Sequence, residues 1–157
     1  MQLSTAQLGT LKTWLTANAS GVFDEEAAAL LNALAAGPWI VWRSSVPVTE
    51  IMLNGFDWTR VDNLSVGKAR IWDWMTKVGS IDPSKLNIRA GIDATWVGTQ
   101  ADLDVRAAVY VHCKRSATVG EKLFSTGTGT TAVPATMGVG AEGPVTASNV
   151  SDARNLP

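Results

Sequence analysis

The chain has 157 residues, 46% of them apolar, with thirteen basic and fourteen acidic side chains and a formal net charge of -1. That length supports one domain with a proper core and is short for two, and the balanced charge excludes a global field that draws the chain onto nucleic acid or an anionic membrane. The longest apolar runs fall well below the roughly 20 residues that span a bilayer, and Met1-Gln2-Leu3-Ser4 lacks the basic start of a signal peptide, so an intracellular place of synthesis and no membrane partner are expected.

The first predicted helix covers residues 4–18, opened by a Ser4/Gln7 capping box and carrying Leu8, Leu11 and Leu15 at helical spacing. Asp24 is the expected cap of a second helix over 25–36, with acids in its first turn and Leu30, Leu31 and Leu34 as its buried stripe. Gly37-Pro38 stops it. Trp39-Ile40-Val41-Trp42 is too short for a helix and too apolar for a loop, and reads as an extended segment pinned on the core. Pro47 suits the first turn of a short helix through Leu53, closed by Asn54-Gly55, with a further turn or short helix over 56–63.

A longer helix is predicted over 64–77, its uneven apolar face made of Leu64, Ala69, Ile71, Trp72 and Met75. Asp82-Pro83 reads as a cap and first-turn proline that restart the helical pattern, with Ile88, Ile92, Thr95 and Trp96 as the stripe. Thr99 and Asp102 form another capping box, for a helix running to about residue 118 with Leu103, Ala107, Tyr110 and Val111 on one face. All seven tryptophans, Trp14, Trp39, Trp42, Trp58, Trp72, Trp74 and Trp96, lie before residue 100. Core packing accounts for most of them; contact surfaces, where Trp is enriched, account for the rest.

Beyond Phe124 the composition changes. Residues 125–157 hold no aromatic side chain and three charged ones, against five Gly, six Thr and three Pro. Such a stretch cannot build a core of its own and is expected to order on a partner or stay flexible. The predicted organisation is therefore mainly α: a helical body of about five or six helices over 1–124, then an extended Thr/Gly-rich C-terminal arm over 125–157.

Little in the chain points to catalysis. His112 and Cys113 are the sole residues of their types, and neighbours on a helix diverge by about 100° around its axis, so they do not face each other as a thiol–imidazole pair. No disulfide and no protein-only metal site of the usual kind is possible from one of each. No Gly-x-Ser-x-Gly elbow occurs. Asp24-Glu25-Glu26 and Asp102/Asp104 sit where helix N-termini attract acids. Gly127-Thr128-Gly129 has no Gly-Lys-Ser/Thr ending to make it a phosphate loop. No cofactor is expected. Among the cations, Arg106, Lys114, Arg115 and Lys122 either answer the helix C-terminal dipole or dock an acidic partner surface or a phosphate backbone.

The run Ile51-Met52-Leu53-Asn54-Gly55-Phe56-Asp57-Trp58-Thr59-Arg60-Val61-Asp62-Asn63-Leu64-Ser65-Val66-Gly67-Lys68-Ala69-Arg70-Ile71-Trp72, with Ile88-Arg89-Ala90-Gly91-Ile92-Asp93-Ala94-Thr95-Trp96 and Arg106-Ala107-Ala108-Val109-Tyr110, resembles a family of small virion proteins of tailed bacteriophages. The likeness spans roughly residues 1–140 and contains no catalytic motif. The plan of helical body plus Thr/Gly-rich extension also resembles the head-to-tail adaptor proteins that form a ring beneath the portal. The resemblance implies a homo-oligomeric ring in the neck of the virion, a dodecamer in the typical case, between portal protein and tail proteins, with DNA passing through its lumen without sequence readout. A capsid-decorating or head-completion role and a small DNA-binding or packaging factor are the alternatives. The expected partner-binding residues are Arg106, Lys114 and Arg115, and in the arm Thr126, Gly127, Thr128, Gly129, Thr130, Val133, Pro134 and Met137.

Overall fold

The computed structural model describes residues 1–53 and 55–157; the expected turn residue Asn54 lies outside them. In chain order the elements are α1 (Thr5–Asn18), α2 (Asp24–Asn32), β1 (Ile40–Trp42), β2 (Val46–Pro47), α3 (Val48–Ile51), α4 (Thr59–Asp62), α5 (Val66–Thr76), β3 (Ser80–Ile81), α6 (Leu86–Thr95), α7 (Gln100–His112), β4 (Lys114–Ser116), α8 (Val119–Phe124), β5 (Ser125–Thr126), β6 (Thr136–Met137) and α9 (Ala147–Arg154). The fold is mainly α, with short two-residue and three-residue strands. The chain divides into two units, one made of Met1–Val41 with Ser116–Pro157, the other of Trp42–Arg115.

In the first unit α1 starts at the Ser4/Gln7 capping box and buries Leu11 and Leu15. Helix α2 turns a different face inward from the one its leucines predict. Ala27, Ala28 and Leu31 are buried, whereas Leu30 is 47% and Leu34 72% exposed. Two adjacent leucines lie about 100° apart on a helix, and the small alanines let α2 approach its neighbours closely. The helix also stops at Asn32 rather than 36. Extended backbone follows, because the Ala35 N–H donates to Ala117 O and the Val119 N–H to Ala33 O. Phe23, not Asp24, occupies the cap position, and Asp24 instead takes a 2.5 Å hydrogen bond from Arg154.

The extended arm is a correction. Residues 125–157 are folded into the first unit. Strands β5 and β6 pair antiparallel, Ser125 opposite Met137 and Thr126 opposite Thr136. Helix α9, with a Thr146 cap, buries Val150 and Ala153 in the same core as Leu11, Leu15, Ala27, Leu31 and Phe124. Asn32 pairs with Val145 in both directions, its amide donating to Val145 O and accepting from Val145 N–H, each at 2.8 Å. Arg154 donates to Ala19 O at 3.1 Å and Val22 O at 2.8 Å. Lys12 donates to Leu156 O, and the Met1 ammonium to Pro144 O at 2.9 Å. A segment too poor in apolar area to fold alone is completed by the apolar faces of α1 and α2.

The second unit is built around a cluster of aromatic rings. Phe56 stacks on Trp72 at 5.8 Å and meets Trp96 edge-on at 5.7 Å, while Trp72 and Trp96 are edge-to-face at 5.2 Å. Val46, Ile51, Ile81, Ile92, Val105, Val109 and Cys113 complete this core. Strands β2 and β3 pair antiparallel, Val46 opposite Ile81. Asp82 does not begin a helix: its carboxylate accepts from the Ser84 N–H and hydroxyl, a local turn, and α6 begins at Leu86. Helix α7 opens at the expected Thr99/Asp102 box but ends at His112, before the extended Lys114–Ser116. Its inner stripe is Asp102, Val105 and Val109, with Val111 71% exposed.

Asp102 ties α7 to α4. Its Oδ1 accepts from Arg60 at 2.6 Å and its Oδ2 from the Thr99 N–H and hydroxyl. The Arg60 hydrogen bonds, then those of Thr99, hold the carboxyl far below the usual carboxylate range. A carboxyl whose folded value is depressed stabilises the fold fully above its unfolded value of about 3.9, and that stabilisation is lost as pH falls through the folded value.

Two predictions follow from this packing. Val150→Ala removes buried methyl groups from the α1–α2–α9 core and is expected to cost about 2 kcal/mol in urea unfolding, whereas Val139→Ala, at a position 95% exposed, changes stability by less than about 0.5 kcal/mol. Asp102→Asn is expected to lower the urea midpoint at neutral pH, with the gap to wild type closing below about pH 4; a gap that persists unchanged into stronger acid excludes the ionised Asp102–Arg60 pair as its source.

Candidate interaction surfaces

The expected binding residues are drawn mainly into intramolecular roles. Arg106 lies 3.6 Å from Asp93 Oδ1, which also accepts from the Tyr110 hydroxyl at 3.0 Å. Lys114 Nζ stands 5.2 Å from the Trp42 ring centroid and 5.4 Å from that of Tyr110, with Arg89 over Trp42 at 4.8 Å. Arg106 is thus held by Asp93 and Lys114 by the Trp42 and Tyr110 rings, as ion-pair and cation–π partners rather than as a free cationic patch. Burial lowers the Lys114 pKa, and burial, then the Asp93 hydrogen bond, raises that of Tyr110. Arg115, half-buried in β4, also has a partner within the chain.

The Thr/Gly residues form a hairpin loop. Thr126 lies in β5 and Met137 in β6. Thr128 Oγ1 donates to Val133 O at 2.9 Å, and the Val133 N–H donates to Thr130 Oγ1 at 3.0 Å. Pro134 is buried. The loop is held to the segment before β1's end: the Ile40 N–H donates to Gly129 O, and the Ala135 N–H to Ile40 O, each at 2.8 Å. Gly129 adopts φ +65°, and the Trp39 ring lies where a Cβ would stand, so only glycine fits. Trp39 Nε1 donates to Ser125 Oγ at 2.9 Å, and Lys122 Nζ lies over the Trp39 ring at 4.8 Å from its centroid. Gly127, also at positive φ, packs against Ala135.

Cys113 is fully buried, and desolvation pushes its thiol up to about 12, which keeps it protonated and unreactive at neutral pH. His112 Nδ1 lies 3.6 Å from Glu50, and Glu50 is held below the usual carboxylate range chiefly by its hydrogen bond from Arg43. Among the described residues, no group of three or more His, Cys, Asp or Glu side chains could hold a metal ion, and no helix is long and apolar enough to cross a membrane.

Each unit also presents large apolar side chains to solvent. In the second unit an open groove of about 610 Å³ runs along α5, lined by Met52, Trp58, Val61, Val66, Arg70, Trp72 and Trp74 among others. Trp58 is 56%, Val66 77% and Trp74 69% exposed. Trp58 rests edge-on against Phe56 at 5.2 Å, so its ring is backed by the core while one side stays open. Trp72 points inward and Trp74 outward because residues two apart on a helix diverge by about 200°. That spacing is the sequence signal for an exposed tryptophan, and reading Trp72 with Ile71 as one apolar face misses it. In the first unit the outer side of α2 carries Leu30, with Phe23, 76% exposed, at its N-cap, an edge marked in the sequence by the adjacent Leu30-Leu31 pair; Leu34 is exposed in the extended chain that follows. Exposed apolar clusters of this kind mark contact surfaces.

Compared with family models, curated proteins and solved structures, the chain gives no significant match to any.

Trp74→Ala is expected to leave the urea midpoint nearly unchanged, within about 0.5 kcal/mol, while Trp72→Ala, two residues away, costs about 3–5 kcal/mol. Equal losses at both positions would place Trp74 in the core and remove the exposed face.

Proposed function

We propose that the chain is a structural connector of a tailed-bacteriophage particle, acting by assembly. In this reading copies form a ring beneath the portal, portal and tail proteins are its partners, and DNA passes through the lumen. The observation that carries it is the pair of unlike apolar faces, the α5 groove with Trp58 and Trp74 and the outer side of α2 with Leu30 and, at its cap, Phe23. A closed ring of identical subunits needs two different faces on each subunit, one to give and one to receive. Tryptophan backed by a rigid core is the side chain that contributes most at such contacts. The likeness of 51–72, 88–96 and 106–110 to small virion proteins of tailed bacteriophages supplies the particle.

Docking in this reading moves from the C-terminal segment to the helical faces, since residues 125–157 are engaged by their own unit. A packaging factor that grips DNA is less favoured, because Arg106 and Lys114 are committed to Asp93, Trp42 and Tyr110.

Electron microscopy of particles from the phage or prophage that encodes the chain, labelled with antibody against it, tests the reading. Label at the vertex joining head and tail is the expected outcome. Label spread over the whole shell identifies a decorating protein instead, and unlabelled particles remove the virion role.

A further inference from the structure

The outward side of α5 carries Val66, Arg70, Asp73 and, just past its last residue, Lys77, all exposed. Their alternating spacing, four then three then four, is that of a seam between two helices. Trp74 flanks the row and is 69% exposed. Arg70 and Asp73 are the charged side chains in the lining of the groove that Trp58 and Trp74 share, and neither has a side-chain partner among the described residues. One cation beside one acid selects neither an acidic nor a basic partner: the acids of α2, Glu25 and Glu26, are drawn to Arg70 and repelled by Asp73. What it does match is a helix offering one charge of each sign, three residues apart and in reverse order. A second α5 running the other way is such a helix.

We infer that α5 pairs with α5 of a second copy, antiparallel, about a two-fold axis that passes between positions 70 and 73. Arg70 then meets the second copy's Asp73, and Asp73 its Arg70, which sets two ion pairs at the centre. Val66 faces the second copy's Lys77, whose methylene stem covers it while the ammonium reaches water. The two-fold keeps each flank of the seam on its own side, so both Trp74 rings lie on one flank, roughly 8 Å apart along the axis at about 1.5 Å per residue. Burial of these rings and of Val66 supplies the affinity, and the charges set the register. A parallel pairing sets Arg70 against Arg70 and Asp73 against Asp73, and like charges disfavour it. A contact of this isologous kind closes at two copies. It goes beyond the connector reading, for it describes the free chain with its exposed tryptophans covered, and a ring contact through the same groove has to open the pair.

Sedimentation equilibrium of the full chain and its charge-swapped variants tests the pairing. The unaltered chain is expected to dimerise reversibly; a chain that stays monomeric up to about 1 mM overturns the inference. Arg70→Asp gathers four acids at the centre and Asp73→Arg four cations, and each is expected to weaken the dimer at least about tenfold. An equimolar mixture of these two variants is expected to recover a heterodimer, and Arg70→Asp with Asp73→Arg in one chain to recover the homodimer, because the two-fold sets position 70 against position 73. Both side chains are exposed, so every variant is expected to keep the urea midpoint of the unaltered chain. A dimer that the single substitutions leave intact overturns the inference, and so does one that neither the mixture nor the double substitution recovers. A monomer with label at the neck removes this pairing and leaves the connector reading standing; a dimer that follows the charge swap, with unlabelled particles, does the reverse.

Discussion

The first unit depends on α9 reaching the apolar faces of α1 and α2. Neither helix can satisfy its buried side alone: Leu11, Leu15, Ala27 and Leu31 face a space that Val145, Val150 and Ala153 fill. Polar contacts fix the position of that plug. Arg154 binds Asp24 and also takes up Ala19 O and Val22 O near the end of α1 and the start of α2, meeting backbone acceptors that a helix end otherwise leaves to water. Asn32 does the same for Val145 beyond the last turn of α2. The burial supplies the stabilisation and the hydrogen bonds supply the register, so the C-terminal residues are structural members of this unit.

This arrangement explains why the outer side of α2 is available. With alanines and Leu31 turned inward, the helix has its larger residues, Leu30 and Phe23, left over on the outside. In the second unit the aromatic core of Phe56, Trp72 and Trp96 similarly consumes the inward side of α5 and leaves Trp74 and Val66 facing water. Both exposed faces are therefore carried by helices whose opposite sides are rigidly packed. A contact built on such a surface orders few additional groups when it forms, which limits its entropic cost.

Local signals were the legible part of the sequence. The capping boxes at Ser4 and Thr99 appear where their spacing places them, because a cap is decided within four residues. The extended Ile40–Trp42 was readable from its brevity and apolarity. Non-local decisions were not. Helix α2 ends early because Ala117 and residue 119 compete for its backbone, and α7 gives way to extended chain at Lys114 although its composition would continue as helix. The largest miss, residues 125–157, has the same cause. Their Thr and Gly content describes a chain that cannot fold on its own, and it carries no record of the α1 and α2 surfaces that fold it. On the surface side, the Trp72-x-Trp74 and Leu30-Leu31 spacings did contain the information that one residue of each pair must face outward; only the identity of the inward one needed the structure.

The second unit is an uninterrupted stretch of chain inserted between the two halves of the first. During synthesis, every residue of that inserted stretch has been made before Ser116 is added. Helix α2 is finished early, yet its partner Val150 is joined more than a hundred residues later, a delay on the order of ten seconds at about 5–20 residues per second. Through that interval the leucines of α1 and α2 lack their α9 partners, while the aromatic cluster of the insert has all its members once Trp96 is added. The nascent chain thus carries the apolar sides of α1 and α2 without their α9 cover until the second half of the first unit is made.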